Sequence, residues 1–311
     1  MSRHFSGFRR VVEEAIIVLS GCLFILTGCS KDFSVFEEYP GAWISGITFY
    51  NDGQDIPHDG RIYETDHILV FSDASSDAVK MKYARMAEAS FRELLSAFDI
   101  PDAAELGIRR RENKLTIYAN RYRNINQQSF PNGFILYALD SPVYLQWSGW
   151  DDLRYRRQVK HETMHVMQYL FGLTWHRLEL SQYPETWLSE GLAETVSGGV
   201  YPPITSVQQV DTWMEKDDHV NPISIHFWTD YPVPHERVNE YYPMFGLAVR
   251  CLLDPSGLGK TLADVKAMFL TLGTGRYKFT EAFHQHMGLS VEEFETQFPA
   301  LVSSVLGSGT R

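Results

Sequence analysis

Apolar residues recur along this chain at two different spacings, and the change from one to the other divides it. Ile68-Leu69-Val70-Phe71 is a continuous apolar run, which predicts a buried strand. Val79, Tyr83, Met86, Ala87, Leu94 and Phe98 then follow at helical spacing and predict a long amphipathic helix ending near Pro101. Lys114 to Ala119 alternates and is β-branched, a second strand. Phe134 to Ala138 and Val143 to Trp147 read as two aromatic-rich strands separated by Asp140-Ser141-Pro142. After Gly198-Gly199 the strand patterns give way to helical ones. These fall near Val207 to Lys216, Tyr242 to Leu253, Leu262 to Leu272, Thr280 to Met287 and Val291 to Phe298. Ser290 and Glu293 form a capping box at the start of the last. The pattern predicts an α+β chain, with a mixed sheet-and-helix lobe over 61–199 and a mainly helical lobe over 200–306. Turn punctuation at Pro40-Gly41, Asn51-Asp52-Gly53 and Pro57-His58-Asp59-Gly60 predicts a tether and an irregular approach over 29–60.

One helical stretch carries chemistry as well as pattern. Val159, Thr163, Val166, Met167 and Leu170 predict a helix buried on one side, with Gly172 as its stop. At about 3.6 residues per turn, His161 and His165 share one face of it. The His-Glu-x-x-His spacing suits two neutral imidazoles that hold Zn²⁺ while Glu162 takes a proton from the attacking water. A third ligand comes from a second apolar helix, Trp187-Leu188-Ser189-Glu190-Gly191-Leu192-Ala193-Glu194, where two carboxylates again sit one turn apart. Glu190 would ligate, and Glu194 would orient a histidine from behind. The bland alternative is an amphipathic helix with two satisfied histidines, and the complementary carboxylates of the second helix weigh against it. The expected cofactor is one zinc ion per chain.

These residues carry a resemblance. His161-Glu162-x-x-His165 followed by Trp187-Leu188-x-Glu190-Gly191-x-Ala193-Glu194 resembles the gluzincin metallopeptidases, the thermolysin-like branch of the zincins. The resemblance implies a zincin-like fold over 61–306 with an active-site cleft between the two lobes. It implies His161, His165 and Glu190 as zinc ligands, Glu162 as general base and Glu194 as the supporting carboxylate. It implies a peptide or protein substrate cut at a peptide bond. In that family an oxyanion donor comes from the C-terminal lobe, and Tyr241 and Tyr242 are the best placed in chain order, ahead of His226 and His235. The strand nearest the cleft binds extended substrate there by strand addition, and Val143 to Trp147 is the candidate. The competing class is an envelope binding or structural module that keeps the fold without turnover. A purely structural zinc would be closed by a fourth protein ligand, and Glu162 would then ligate nothing.

Composition narrows the remaining choices. With 311 residues and 44% hydrophobic content the chain is long enough for one large domain or two lobes. A formal charge of −11 argues against nucleic acid as a partner, since phosphate binding needs a basic patch. At the N-terminus, Arg3, Arg9 and Arg10 precede the apolar stretch Ala15 to Leu26, and Leu26-Thr27-Gly28-Cys29 resembles a bacterial lipobox. That likeness implies a signal peptide over 1–28, acylation of Cys29 and a lipid anchor in the bacterial cell envelope. Ser30 after the cysteine points to the outer membrane. Cys251, within Leu247 to Leu253, is expected to be a buried, inert thiol.

Overall fold

In the computed structural model, described over residues 39–51, 54–122, 128–130, 132–141, 152–173, 178–215, 221–224 and 238–307, the chain folds as α+β. The strands are β1 (Ala42–Ile44), β2 (Phe49–Asn51), β3 (Gln54–Ile56), β4 (Ile62–Glu64), β5 (Ile68–Ser72), β6 (Leu115–Asn120), β7 (Gln128–Phe130) and β8 (Gly133–Tyr137). Six of them form one mixed sheet in the order β1-β4-β5-β6-β8-β7, and β2 and β3 form a separate hairpin. The central pairs β5 with β6 and β6 with β8 are parallel, while the outer pairs are antiparallel. Among the described residues there are eight α-helices. They are α1 (Asp77–Ala97), α2 (Asp152–Leu170), α3 (Thr186–Ser197), α4 (Val207–Met214), α5 (Val238–Leu253), α6 (Leu262–Gly273), α7 (Phe279–Met287) and α8 (Val291–Gly307).

The apolar run of β5 is explained by cover on both faces. Leu69 and Phe71 point to one side, where Phe49, Ile62, Tyr118, Phe130 and Ile135 complete a cluster under the β2–β3 hairpin. Phe49 is the wedge of that cluster, with its ring 5.3 Å from Phe71, 5.0 Å from Tyr118 and 5.8 Å from Phe130. The intervening residues face α1, which packs on β4, β5 and β6, while α2 packs on β7 and β8 and against α1. The described part of 29–60, for which the sequence predicts a tether and irregular approach, carries three short strands. The compact unit starts at Gly41, and β1 to β3 are integral to the sheet and its cover. Three-residue strands carry too little alternation to register as a pattern. The strand expected at Val143 to Trp147 lies outside the described residues, as do Cys29 with the segment before it, His226 and His235. The helical expectations are met within a few residues except for the last helix, which runs past the expected Phe298 to Gly307, and the Ser290–Glu293 box is present, with reciprocal bonds of 2.7 and 3.1 Å. Cys251 is fully buried, and burial pushes its thiol up to about 12.

One buried carboxylate fastens the sheet to α1. Glu88 is about 1% exposed and accepts from Thr65 Oγ1 (2.9 Å), His67 N (2.9 Å), His67 Nδ1 (2.7 Å) and Arg92 Nε (2.7 Å). Thr65 to His67 is the turn between β4 and β5, so the helix carries a cap for a sheet turn. Burial alone would raise the Glu88 carboxyl, but His67 and Arg92 outweigh it and hold it down at about 2, against an ordinary 4.5. A folded-state value below the unfolded one adds stability above the unfolded value and loses it as pH falls toward the folded one. Wild type should therefore lose about 3 kcal/mol between pH 4.5 and 2 through this residue. Urea unfolding of wild type beside Glu88→Gln checks this, because the stability gap between them should shrink across that window.

Candidate metal centre

α2 and α3 meet where each presents its polar residues. α3 is buried on nearly every side through Trp187, Leu188, Leu192 and Ala193, so its carboxylates are held by packing on both flanks. Its close neighbour is α5. A Cβ on Gly191 would lie 2.3 Å from the Phe245 carbonyl oxygen and 2.6 Å from its carbon, so only glycine permits this approach. Thr195 Oγ1 donates to the Gly246 carbonyl at 3.1 Å across the same crossing.

The geometry at the junction is a triangle. His161 Nε2 to Glu190 Oε2, His165 Nε2 to Glu190 Oε2 and His161 Nε2 to His165 Nε2 all measure 3.2 Å. Two ring nitrogens and a carboxylate oxygen at this spacing are satisfied either by a proton shared with the carboxylate or by a cation between them, since two bare imidazole lone pairs facing each other repel. A tetrahedral ion with bonds of ~2.0 to 2.1 Å keeps its ligands about 3.4 Å apart, so the triangle has the size of three zinc ligands. His161, His165 and Glu190 also form a His/Cys/Asp/Glu cluster able to hold a metal, among the described residues.

Electrostatics agree with the geometry. Burial disfavours the charged form of His161, but Glu190 and Glu194 outweigh burial and push it up to about 10. His165 is likewise raised against burial, by Glu190. Glu190 is opposed by burial, yet the two imidazoles hold it well below the usual carboxylate range. The same field that favours a proton favours a metal cation, and the two compete for the ring nitrogens. Behind the triangle, Glu194 Oε2 faces His161 Nδ1 at 3.4 Å, and neither atom has a hydrogen-bond partner among the described residues. The Tyr201 backbone N–H donates to the other oxygen of Glu194 at 3.0 Å.

The structure brings together five of the residues singled out in the sequence, His161, Glu162, His165, Glu190 and Glu194, and separates the two tyrosines. Tyr242 stacks on His161 with centroids 5.8 Å apart and planes 5° from parallel. Tyr241 is instead turned into the core, fully buried against Trp213 at 5.3 Å and Phe245 at 6.2 Å, where it cannot meet a substrate. Consecutive helix positions point about 100° apart, so only one of a pair can face the centre. Burial, with Glu190 next, keeps the Tyr242 phenol protonated far above neutrality.

Three further residues reach the cluster without a sequence signal that marks them. Ser129, on the terminal strand β7, donates to Glu162 Oε2 at 2.5 Å. Gln168 Oε1 lies 3.3 Å from His165 Nδ1. Tyr201 packs edge-on against Tyr242 at 5.6 Å, and burial and Glu194 raise its hydroxyl to about 12. No protein-family model matches this chain, and no curated protein matches it either. Gly191→Ala should force α3 and α5 apart, lowering stability by about 1 to 3 kcal/mol and weakening metal binding through displacement of Glu190. Urea unfolding and zinc titration of that variant test the two effects.

Proposed function

We propose that this protein is a zinc-dependent metallopeptidase of gluzincin type, lipid-anchored through Cys29 in a bacterial cell envelope, at the outer membrane. The observation that carries the reading is the 3.2 Å triangle of His161, His165 and Glu190 with Glu162 beside it, its carboxylate bonded to Ser129. A purely structural centre would have no use for Glu162 next to the first ligand, held by a separate strand. The zincin-like fold, with its cleft between the sheet lobe and the helical lobe, belongs to the same proposal. The six-stranded mixed sheet followed by helices supports it. The lipobox-like tetrapeptide supports the anchor. No described helix is long and apolar enough to cross a membrane.

His161, His165 and Glu190 would hold the zinc, and Glu194 would keep His161 aimed at it. Bound there, zinc supplies Lewis-acid polarisation of a peptide carbonyl and a water acidified to a pKa of about 7. The protein's own residues do the rest. Glu162, with one carboxylate oxygen engaged by Ser129, takes the water's proton on the other and delivers it to the leaving amine. Tyr242, a neutral phenol stacked on His161, supplies a donor for charge developing on the carbonyl oxygen. β7 ends the sheet order among the described residues and carries Ser129 onto Glu162, so this end of the sheet would run beside an extended peptide bound at the centre.

Elemental analysis of the full chain should find one zinc, lost in Glu190→Ala; a folded wild type that takes up none when zinc is supplied would sink the proposal. Glu162→Gln should keep the zinc and lose peptide hydrolysis by about a thousandfold. Ser129→Ala should keep both zinc and KM while kcat falls about 10- to 100-fold, the worth of one hydrogen bond to a charged group. A Ser129→Ala enzyme with unchanged kcat would remove Ser129 from the mechanism.

A further inference from the structure

Gln168 occupies a position that the peptidase reading does not use. It lies one turn after His165 on α2, is about 1% exposed, and makes three contacts to two residues. Its Nε2 donates to the Ser189 carbonyl at 2.9 Å, its Oε1 accepts from Ser189 Oγ at 2.7 Å, and the same Oε1 faces His165 Nδ1 at 3.3 Å.

The amide's orientation follows from the chemistry of its partners. A backbone carbonyl can only accept, so the amide NH₂ must face Ser189 O and the amide oxygen must face the other way. An amide oxygen can only accept in turn, so His165 Nδ1 must carry the hydrogen between them. That assignment leaves the Nε2 lone pair of His165 directed at Glu190 and His161, the form a metal requires. Ser189 immediately precedes Glu190, so the contacts that choose the tautomer of one ligand also fix the backbone that bears another.

We infer that Gln168, with Ser189, is the positioning residue of this centre: it locks His165 in the Nδ1–H tautomer and ties α2 to α3 at ligand spacing, thereby setting metal affinity. The inference rests on the metal-centre reading above. Two features separate it from plain core packing. Gln168 is a buried polar residue where an apolar one would fill the same space, and each of its polar atoms has a partner in or beside a ligand. The support is also unequal, since His161 faces a carboxylate and His165 a neutral amide. A carboxylate at 168 would keep the acceptor and raise the imidazole's basicity.

Zinc titration into chelator-stripped full chain, for wild type, Gln168→Leu and Gln168→Glu, tests this, with urea unfolding of each metal-free protein alongside. Gln168→Leu should bind zinc about 10- to 100-fold more weakly. Gln168→Glu should bind within a few-fold of wild type or more tightly, although it too loses the donor to Ser189 O. Wild-type affinity in Gln168→Leu, or a loss in Gln168→Glu as large as in Gln168→Leu, would overturn the inference while leaving the peptidase reading intact. Should Gln168→Leu fail to fold, Gln168→Met, which likewise removes the acceptor at similar volume, takes its place under the same criterion. A wild type that binds no zinc overturns both readings.

Discussion

Two helices must be brought together so closely that two imidazole nitrogens and a carboxylate oxygen come within 3.2 Å of one another, and the rest of the structure is arranged to make that approach possible. Such a cluster opposes itself, because its donors are all acceptors and its carboxylates lie out of water. It forms only where surrounding packing is strong enough to hold it and positive charge is drawn into its middle. Packing is supplied by α3, whose Trp187, Leu188, Leu192 and Ala193 are wholly buried, and by Gly191, which lets α5 close to backbone contact. Positive charge at that point is favoured by Glu190 and Glu194, which raise His161 against the effect of its burial.

The sheet serves the same junction from the other side. α2 is laid across β7 and β8, and the end of the sheet delivers Ser129 to Glu162. α1 in turn holds α2, and Glu88 pins α1 to the β4–β5 turn through three hydrogen bonds, with Arg92 of the same helix bracing the carboxylate. The opposite sheet face is sealed by Phe49 from the hairpin, so the strands cannot slide without opening an aromatic cluster. Each layer thus limits the freedom of the next, ending at side chains whose positions matter to a fraction of an ångström.

What the sequence made legible follows from how local each signal is. Histidines four apart on one helix and carboxylates four apart on another are statements about single helices, and both hold. The ligand triangle needed only the assumption that the two helices meet. Ser129 could not be found this way, since its contact with Glu162 joins a three-residue strand to a helix 33 residues later. Nor could the choice between Tyr241 and Tyr242, because α5 is buried almost all round and no polar stripe sets its phase. Gln168 was nearer to legibility. A glutamine set among Val166, Met167 and Leu170, one turn after the second histidine of the motif, is a polar residue that burial tolerates only with partners.

The centre also differs in kind from sites that exist only when metal folds them. In small zinc modules the ligands are scattered over loops and metal binding is itself the folding energy. Here both segments that carry the cluster are long helices whose apolar faces join cores extending well beyond it, from Phe91 on α1 to Phe283 and Phe294 on α7 and α8. A metal held there would contribute a charge and three bonds, while the helix crossing rests on the packing around it. The frame therefore holds His161, His165 and Glu190 within 3.2 Å of one another beforehand, and little of any binding free energy would be spent on ordering them. On the proposed reading that rigidity is what a hydrolytic centre would require, since Glu162 would have to stand at a fixed distance from a carbonyl through every turnover, and metal affinity would then be governed by the few polar contacts behind the ligands.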